Sequence, residues 1–80
     1  MALPQGVTDY LNENAQTNGV EQPQAGDDLF KTGVLDSFAL VDFVAILEEQ
    51  TGITVPDADV NPANFQTIAA IERYVESRRG

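Results

Sequence analysis

The segment from Ser37 to Gln50 constrains the fold most strongly, because its apolar residues recur at helical spacing. At about 100° per residue, one side of a helix over this segment collects four large apolar side chains, Leu40, Phe43, Val44 and Leu47. Asp36 precedes the segment as a candidate N-cap, and Gly52 follows it as a stop signal. The pattern predicts a helix that presents this side to the core.

Weaker helical patterns lie towards both ends of the chain. The first, from about Leu3 to Ala15, is rich in Asn and Gln. The last begins after Thr67, a candidate cap, and runs to about Ser77 with apolar residues on one face. The sequence shows neither an internal repeat nor the alternation of apolar and polar residues that is typical of strands.

The connections between these helices differ in character. Residues 16–33 are crowded with Gly, Pro, Asn and Asp and predict a long loop, which Leu29 and Phe30 are expected to anchor to the core. After Gly52 we expect an extended stretch, then a short helical turn over Asp57–Val60 that ends at Asn61-Pro62. The predicted fold is all-α, a small bundle of three principal helices plus one short helix, in a single domain over residues 1–80.

Composition limits the chemistry that the chain can perform. Of its 80 residues, 42% are hydrophobic, enough for a compact core but with little room for an enclosed catalytic cavity. With no Cys and no His, disulfides, thiolate chemistry and the usual general base are excluded. The net charge of -9 disfavours nucleic acid as a partner and favours basic protein surfaces. Without a signal peptide or an apolar run of about 18 residues, we expect a cytoplasmic protein with no membrane span. We also expect a monomer.

The side of the 37–50 helix that faces away from the predicted core is also partly apolar. It collects three apolar residues interleaved with three acids, which are Phe38, Val41, Ala45, Asp42, Glu48 and Glu49. One interpretation is a docking surface for a basic partner. The other is that the long loop or the short helix covers Phe38 and Val41. Periodicity alone leaves both open.

Ser37 lies at the start of this helix, where a serine is ordinarily a cap or a solvated hydroxyl. The chain offers no histidine to activate it and has no G-x-S-x-G turn, so we expect no catalytic residue. A metal site is not expected either, because the calcium-loop pattern that begins at Asp57 has Pro62 at its sixth position and Ile68 at its twelfth. The free backbone N–H groups of the helix N-terminus favour an attached phosphate. These features indicate a hydroxyl that another enzyme modifies.

Several stretches together resemble the acyl carrier protein family over nearly the whole chain, most specifically at Leu35-Asp36-Ser37. They are Asp27-Asp28-Leu29-Phe30, Gly33-Val34-Leu35-Asp36-Ser37-Phe38, Leu47-Glu48-Glu49, Ile53-Thr54-Val55-Pro56 and Asn64-Phe65-Gln66-Thr67-Ile68. The resemblance implies that a phosphopantetheinyl transferase moves 4'-phosphopantetheine from coenzyme A onto Ser37. The terminal thiol of that arm would then hold cargo as a thioester, which explains how a chain without cysteine takes part in thiol chemistry.

The resemblance also implies which residues partners read. In this family, basic patches on partner enzymes bind the second helix. Carried over by position, the implied docking residues of this chain are Asp36, Phe38, Val41, Asp42, Ala45, Glu48 and Glu49. The implied partners are the transferase, a ligase that loads acyl or aminoacyl groups, and downstream synthases or transferases. Fatty acid carriers commonly have Leu-Asp after the serine and Met eight residues later, where this chain has Phe38-Ala39 and Ala45. It is more similar to discrete carriers of specialised pathways, including those loaded with amino acids. The competing hypothesis is an acidic helical adaptor without a prosthetic group.

Overall fold

The computed structural model describes residues 3–79 of the chain; residues 1, 2 and 80, which belong to the predicted domain, lie outside the described residues. The elements in chain order are α1 (Gln5–Thr17), α2 (Ser37–Thr51), a 3₁₀ helix (Asp57–Asp59), α3 (Pro62–Phe65) and α4 (Ile68–Arg79). The described residues contain no strand. The all-α prediction, with a long loop between the first two helices, is therefore confirmed.

The signals that begin and end α2, and the one that begins α4, act as predicted. The Asp36 carboxylate accepts hydrogen bonds from the backbone N–H groups of Phe38 and Ala39, at 3.0 and 2.8 Å. Gly52 ends α2 in the left-handed conformation, with φ of 76°, which favours glycine. At the start of α4, the Thr67 hydroxyl accepts from the Ala70 N–H at 3.0 Å. Each cap satisfies N–H or C=O groups that a helix end otherwise leaves unpaired.

The short helical turn after Pro56 ends before Asn61-Pro62, as predicted. The same two residues also begin α3, which was not predicted; the Asn61 side chain accepts a hydrogen bond from the Asn64 N–H at 3.3 Å. Pro62 fits the first helical position because its missing N–H is not needed there and its φ is already helical. The predicted turn is thus a 3₁₀ helix, and a separate α-helical turn that was not predicted follows it. Helix α1 also begins at Gln5, after Pro4, and not at Leu3.

One aromatic ring from each of the four α-helices forms the centre of the core. Tyr10 of α1 lies 6.0 Å from Phe43 of α2, Phe43 lies 6.2 Å from Phe65 of α3, and Phe65 lies 5.3 Å from Tyr74 of α4, all between ring centroids. The last two pairs meet edge to face, the arrangement that aromatic quadrupoles favour. Phe43 and Phe65 have no solvent exposure, and the predicted core side of α2 is buried. This row of rings fixes how the helices pack.

Tyr74 also joins α4 to the 3₁₀ helix. Its hydroxyl donates to the Asp59 carboxylate at 2.7 Å. Burial, with this hydrogen bond to Asp59, raises the pKa of Tyr74 to about 12. The phenol therefore stays protonated, and the link stays intact, over the whole neutral pH range.

Hydrogen bonds and buried side chains hold the long loop to the core. Leu29 is fully buried and Phe30 is half-buried against the core, so both predicted anchors are confirmed. The Leu29 N–H donates to the Gln66 carbonyl at 2.7 Å, and the Ala69 N–H donates to the Ala25 carbonyl at 3.2 Å. The loop is tied in this way to the junction between α3 and α4.

Asp28 adds a side-chain link at the same junction, and this link predicts a pH effect. Its carboxylate accepts from the Gln66 amide at 2.6 Å and from the N–H groups of Phe30 and Lys31 at 3.0 Å. The hydrogen bond from the Gln66 side chain is the main cause that holds the pKa of Asp28 below its usual value of 3.8. The hydrogen bond from the Lys31 N–H is the next largest. A lowered folded-state pKa stabilises the fold above the unfolded pKa, and this contribution is lost as pH falls through the folded value.

Asp28→Asn is therefore expected to lower the free energy of unfolding near pH 7, by an amount that shrinks once the pH is well below 3.8. Urea unfolding of variant and wild type near pH 7 and near pH 3 measures this. Gln66→Ala removes the main cause of the lowered pKa and should reduce the same pH-dependent difference. A difference between Asp28→Asn and wild type that is equal at both pH values would contradict this role.

Candidate functional site

Ser37 is the first residue of α2, and its side chain is exposed. Within residues 3–79 no hydrogen bond is found for its hydroxyl, and the sequence has no histidine to take its proton. The hydroxyl is accessible but not activated by its own chain. This arrangement suits a group that an external enzyme modifies, and it gives no support for a nucleophile of the chain's own.

Two of the backbone N–H groups at this helix start are already bonded, so the expectation that they are free for a phosphate is wrong for these two. The Asp36 carboxylate already accepts from the N–H groups of Phe38 and Ala39. The aspartate N-cap thus satisfies two of the donors that were expected to favour a phosphate. Asp36 therefore has a structural role besides its predicted docking role.

The residues before Ser37 are anchored firmly. Gly33 has a φ of 90°, in the region that favours glycine, and so allows the chain to turn towards α2. Val34 and Leu35 follow it and are buried, and the Leu35 N–H donates to the Leu29 carbonyl at 3.0 Å. An exposed hydroxyl thus emerges two residues after a buried anchor, at a defined place on the surface.

The face of α2 next to Ser37 is uncovered. Phe38 is 88% exposed and Val41 is 63% exposed, and they are the large apolar side chains that the described part of the chain leaves exposed. Ala45, Asp42 and Glu49 on the same face are exposed as well. The interpretation in which the loop or the short helix covers Phe38 and Val41 is therefore wrong. We call the set Phe38, Val41, Asp42, Ala45 and Glu49 the α2 face.

Glu48 differs from the other predicted docking residues. It is half-buried, and its carboxylate accepts a hydrogen bond from the Val55 N–H at 2.9 Å. This bond fastens the extended stretch after α2 back onto the helix. Glu48 thus has a structural task that its sequence position did not reveal, because the partner is a backbone group brought near by the turn at Gly52.

An open groove of about 490 Å³ runs beside the α2 face, between α2 and the stretch that Glu48 holds. Its lining is mostly aliphatic, with a carboxylate at two positions: Val41, Val44, Ala45, Glu48, Val55, Asp57 and Val60. In residues 3–79, no group of three or more Asp or Glu side chains is placed to hold a metal ion. None of the helices over the same residues has the length and apolar character needed to cross a bilayer.

Comparison with known proteins identifies the class to which this arrangement belongs. Residues 10–75 match the family described as phosphopantetheine attachment site. The D-alanyl carrier protein of Lactobacillus helveticus is 35% identical over 77 residues, which cover 96% of this chain and 95% of the relative. That of Bacillus velezensis is 35% identical over 68 residues, 84% and 85% of the two chains. The D-alanyl carrier protein of Lactobacillus acidophilus is 34% identical over 77 residues, which cover 96% of this chain and 95% of the relative.

The chain belongs to the acyl carrier protein family, whose members carry a phosphopantetheine attachment site. It is a carrier and not an enzyme, and its cofactor is 4'-phosphopantetheine, attached covalently. The family also implies a phosphopantetheinyl transferase and a loading ligase as general kinds of partner. An exposed hydroxyl without a hydrogen-bond partner, on a rigid helix start, fits attachment of such a group by an external enzyme.

Proposed function

We propose that Ser37 is the attachment point of the 4'-phosphopantetheine arm. The observation that carries this proposal is that Ser37 is the only serine within residues 10–75, the part that matches the family. The other serine, Ser77, lies outside that part, and its hydroxyl donates to the Tyr74 carbonyl at 2.8 Å. Ser37 is exposed and makes no such bond.

In the attachment step, the transferase supplies the catalytic groups. The Ser37 oxygen attacks the phosphorus of coenzyme A that bears the pantetheine; the new O–P bond forms as the pyrophosphate P–O bond breaks, and adenosine 3',5'-bisphosphate leaves with the electron pair. The serine proton goes to a base of the transferase, because this chain has no histidine and offers Ser37 no acceptor. Once attached, the arm supplies a thiol that holds the cargo as a thioester. The chain itself contributes position and a docking surface.

The α2 face is the proposed docking surface. Its exposed apolar side chains, Phe38 and Val41, supply contact area, and the carboxylates of Asp42 and Glu49 supply charge that attracts a basic partner surface. Asp36 lies at its edge, and Glu48 contributes mainly by holding the rim of the neighbouring groove. The proposed partners are the transferase, the loading ligase, and downstream synthases or transferases, each with a basic docking surface.

For the cargo we propose an aminoacyl group. The relatives are named D-alanyl carrier proteins, and this makes D-alanine the first amino acid to test. An acyl cargo is the second candidate, because the aliphatic lining of the groove beside α2 could shelter a short apolar chain. The adaptor hypothesis is disfavoured because the family carries a prosthetic group. The cytoplasmic location and the monomeric state stay predictions.

The experiment that tests attachment uses the purified protein with coenzyme A, magnesium and a broad-specificity phosphopantetheinyl transferase. Intact mass spectrometry is expected to show addition of a single phosphopantetheine. Unmodified protein, under conditions that modify a known carrier, would contradict the proposal. Incubating the modified protein with ATP, D-alanine and a D-alanine-activating ligase then tests the cargo, and absence of an added alanyl mass would favour the acyl alternative.

Charge reversal on the α2 face is expected to weaken docking in a salt-dependent way. Glu49→Lys is expected to raise the KM of the transferase for the carrier about two- to fivefold at low salt, since an exposed ion pair contributes up to about 1 kcal/mol. The effect should shrink as added salt screens exposed charges. Glu76→Lys makes the same change in net charge at an exposed position of α4, away from the α2 face, and should leave KM near the wild-type value.

Steady-state kinetics at two ionic strengths checks this prediction. A loss that does not depend on salt, or an equal loss for Glu76→Lys, would show that Glu49 is not an electrostatic docking residue. Glu48 is unsuitable for the same test, because replacing it also removes the hydrogen bond to the Val55 N–H.

A further inference from the structure

We propose that a polar edge of α1, formed by Tyr10, Asn14 and Asn18, positions Ser37 for modification; the inference rests on the proposed function of Ser37. The three residues are spaced four apart, which places them along one side of α1 and its C-cap. Each side chain donates a hydrogen bond to a backbone carbonyl in the region of Ser37. These are positioning residues, since none of them touches the reacting hydroxyl.

The three carbonyls lie on both sides of Ser37 in the chain. The Asn18 amide donates to the Gly33 carbonyl at 2.7 Å and the Asn14 amide donates to the Val34 carbonyl at 3.4 Å. The Tyr10 hydroxyl donates to the Ala39 carbonyl, in the first turn of α2, at 3.2 Å. The polar edge therefore joins α1 to the end of the long loop and to the start of the modified helix.

These bonds add something that the buried side chains nearby do not. Val34 and Leu35 are buried, and burial of apolar surface holds a segment against the core without fixing its direction. Hydrogen bonds to carbonyls are directional, and two of them act on consecutive peptide groups just after Gly33, whose backbone is the most permissive in the segment. The polar edge thus fixes the orientation of the backbone at Ser37, and with it the direction in which the Ser37 hydroxyl points.

The expected consequence is separate from docking. The α2 face would stay exposed and intact in a variant that lacks the two asparagine bonds, so recognition by the transferase should persist. The hydroxyl, however, would spend less time aligned with the phosphorus of bound coenzyme A, and small losses of alignment reduce the rate of the chemical step strongly. The double variant Asn14→Ala/Asn18→Ala is expected to lower kcat of the transferase about tenfold and to change KM less than about twofold.

Two further variants make the test specific. Asn12→Ala removes an amide from the same helix that makes no hydrogen bond within the described residues, and it should retain wild-type kcat. Tyr10→Phe removes only the hydroxyl, keeping the ring that packs on Phe43, and should lower kcat by a smaller factor than the double variant. Amide hydrogen exchange at residues 34–37 should speed up in the double variant and not in Asn12→Ala.

The assay is run at a temperature where urea unfolding shows every variant to be folded. A wild-type kcat in the double variant, or the same loss in Asn12→Ala, would overturn the positioning role. A rise in KM with kcat unchanged would overturn it as well, because that result assigns the asparagines to docking. Failure of the wild-type protein to be modified would instead contradict the proposed function of Ser37, so the two failures are distinguishable.

Discussion

Replacement of Ser37 by alanine is expected to abolish phosphopantetheine addition completely. Alanine has no oxygen to form the O–P bond, and the remaining serine, Ser77, lies outside the matched part of the chain with its hydroxyl bonded to the Tyr74 carbonyl. The rate should fall below detection, in contrast to the partial losses expected from docking or positioning variants. Intact mass spectrometry after prolonged incubation with coenzyme A and a transferase measures the outcome.

The matched control is Ser77→Ala, which should be modified like the wild-type protein. The fold of Ser37→Ala is expected to be unchanged, because the Ser37 side chain is exposed and the cap of α2 belongs to Asp36. Its free energy of unfolding should stay within about 0.5 kcal/mol of wild type. Modification of Ser37→Ala, or loss of modification in Ser77→Ala, would assign the arm to a different residue.

Phe43→Ala is expected to have the largest effect on stability. Phe43 is fully buried and contacts the aromatic rings of Tyr10 and Phe65, so that its removal leaves a cavity where α1, α2 and α3 meet. Truncation of a buried phenylalanine costs about 3–5 kcal/mol. A folded chain of 80 residues has only about 4–12 kcal/mol in total, so the variant should be close to unfolding.

Phe38→Ala is the matched control, since it makes the same substitution five residues away on the opposite face of the same helix. Phe38 is 88% exposed, and its truncation should change the free energy of unfolding by about 0.5 kcal/mol or less. It is expected to raise the KM of partner enzymes, because the side chain belongs to the α2 face. Urea unfolding and transferase kinetics check the pair. Equal destabilisation by both substitutions would contradict the assignment of the two faces.

The principal helices could be predicted from the sequence because local signals and packing agree there. The spacing of Leu40, Phe43 and Leu47 identified the core side of α2, and Asp36 and Gly52 marked its ends. The start of α3 at Pro62 was not predicted, for a physical reason. A proline is equally compatible with the end of one helix and the first residue of another, and the choice depends on whether a cap such as Asn61 precedes it in the folded chain.

The attachment residue was predictable, but its surroundings were not. Ser37 follows from a motif in one short stretch, whereas the contacts around it join distant parts of the chain. Asn14 and Val34 are 20 positions apart, and Glu48 binds a backbone N–H beyond the turn that ends its helix. An asparagine on a helix or a glutamate near its end carries no local sign of such a partner. The capping by Asp36 was predicted, while its occupation of the N–H groups expected to favour phosphate was not.

Isolation of the protein from its native cells, under conditions that preserve thioesters, tests both the attachment to Ser37 and the cargo. Peptide fragmentation by mass spectrometry then locates any added group and gives its mass. We expect a 4'-phosphopantetheine on Ser37. In part of the molecules, this arm should bear an aminoacyl group that hydroxylamine releases. A phosphopantetheine on another residue, or a protein whose Ser37 is unmodified while other carriers from the same cells are modified, would contradict this expectation.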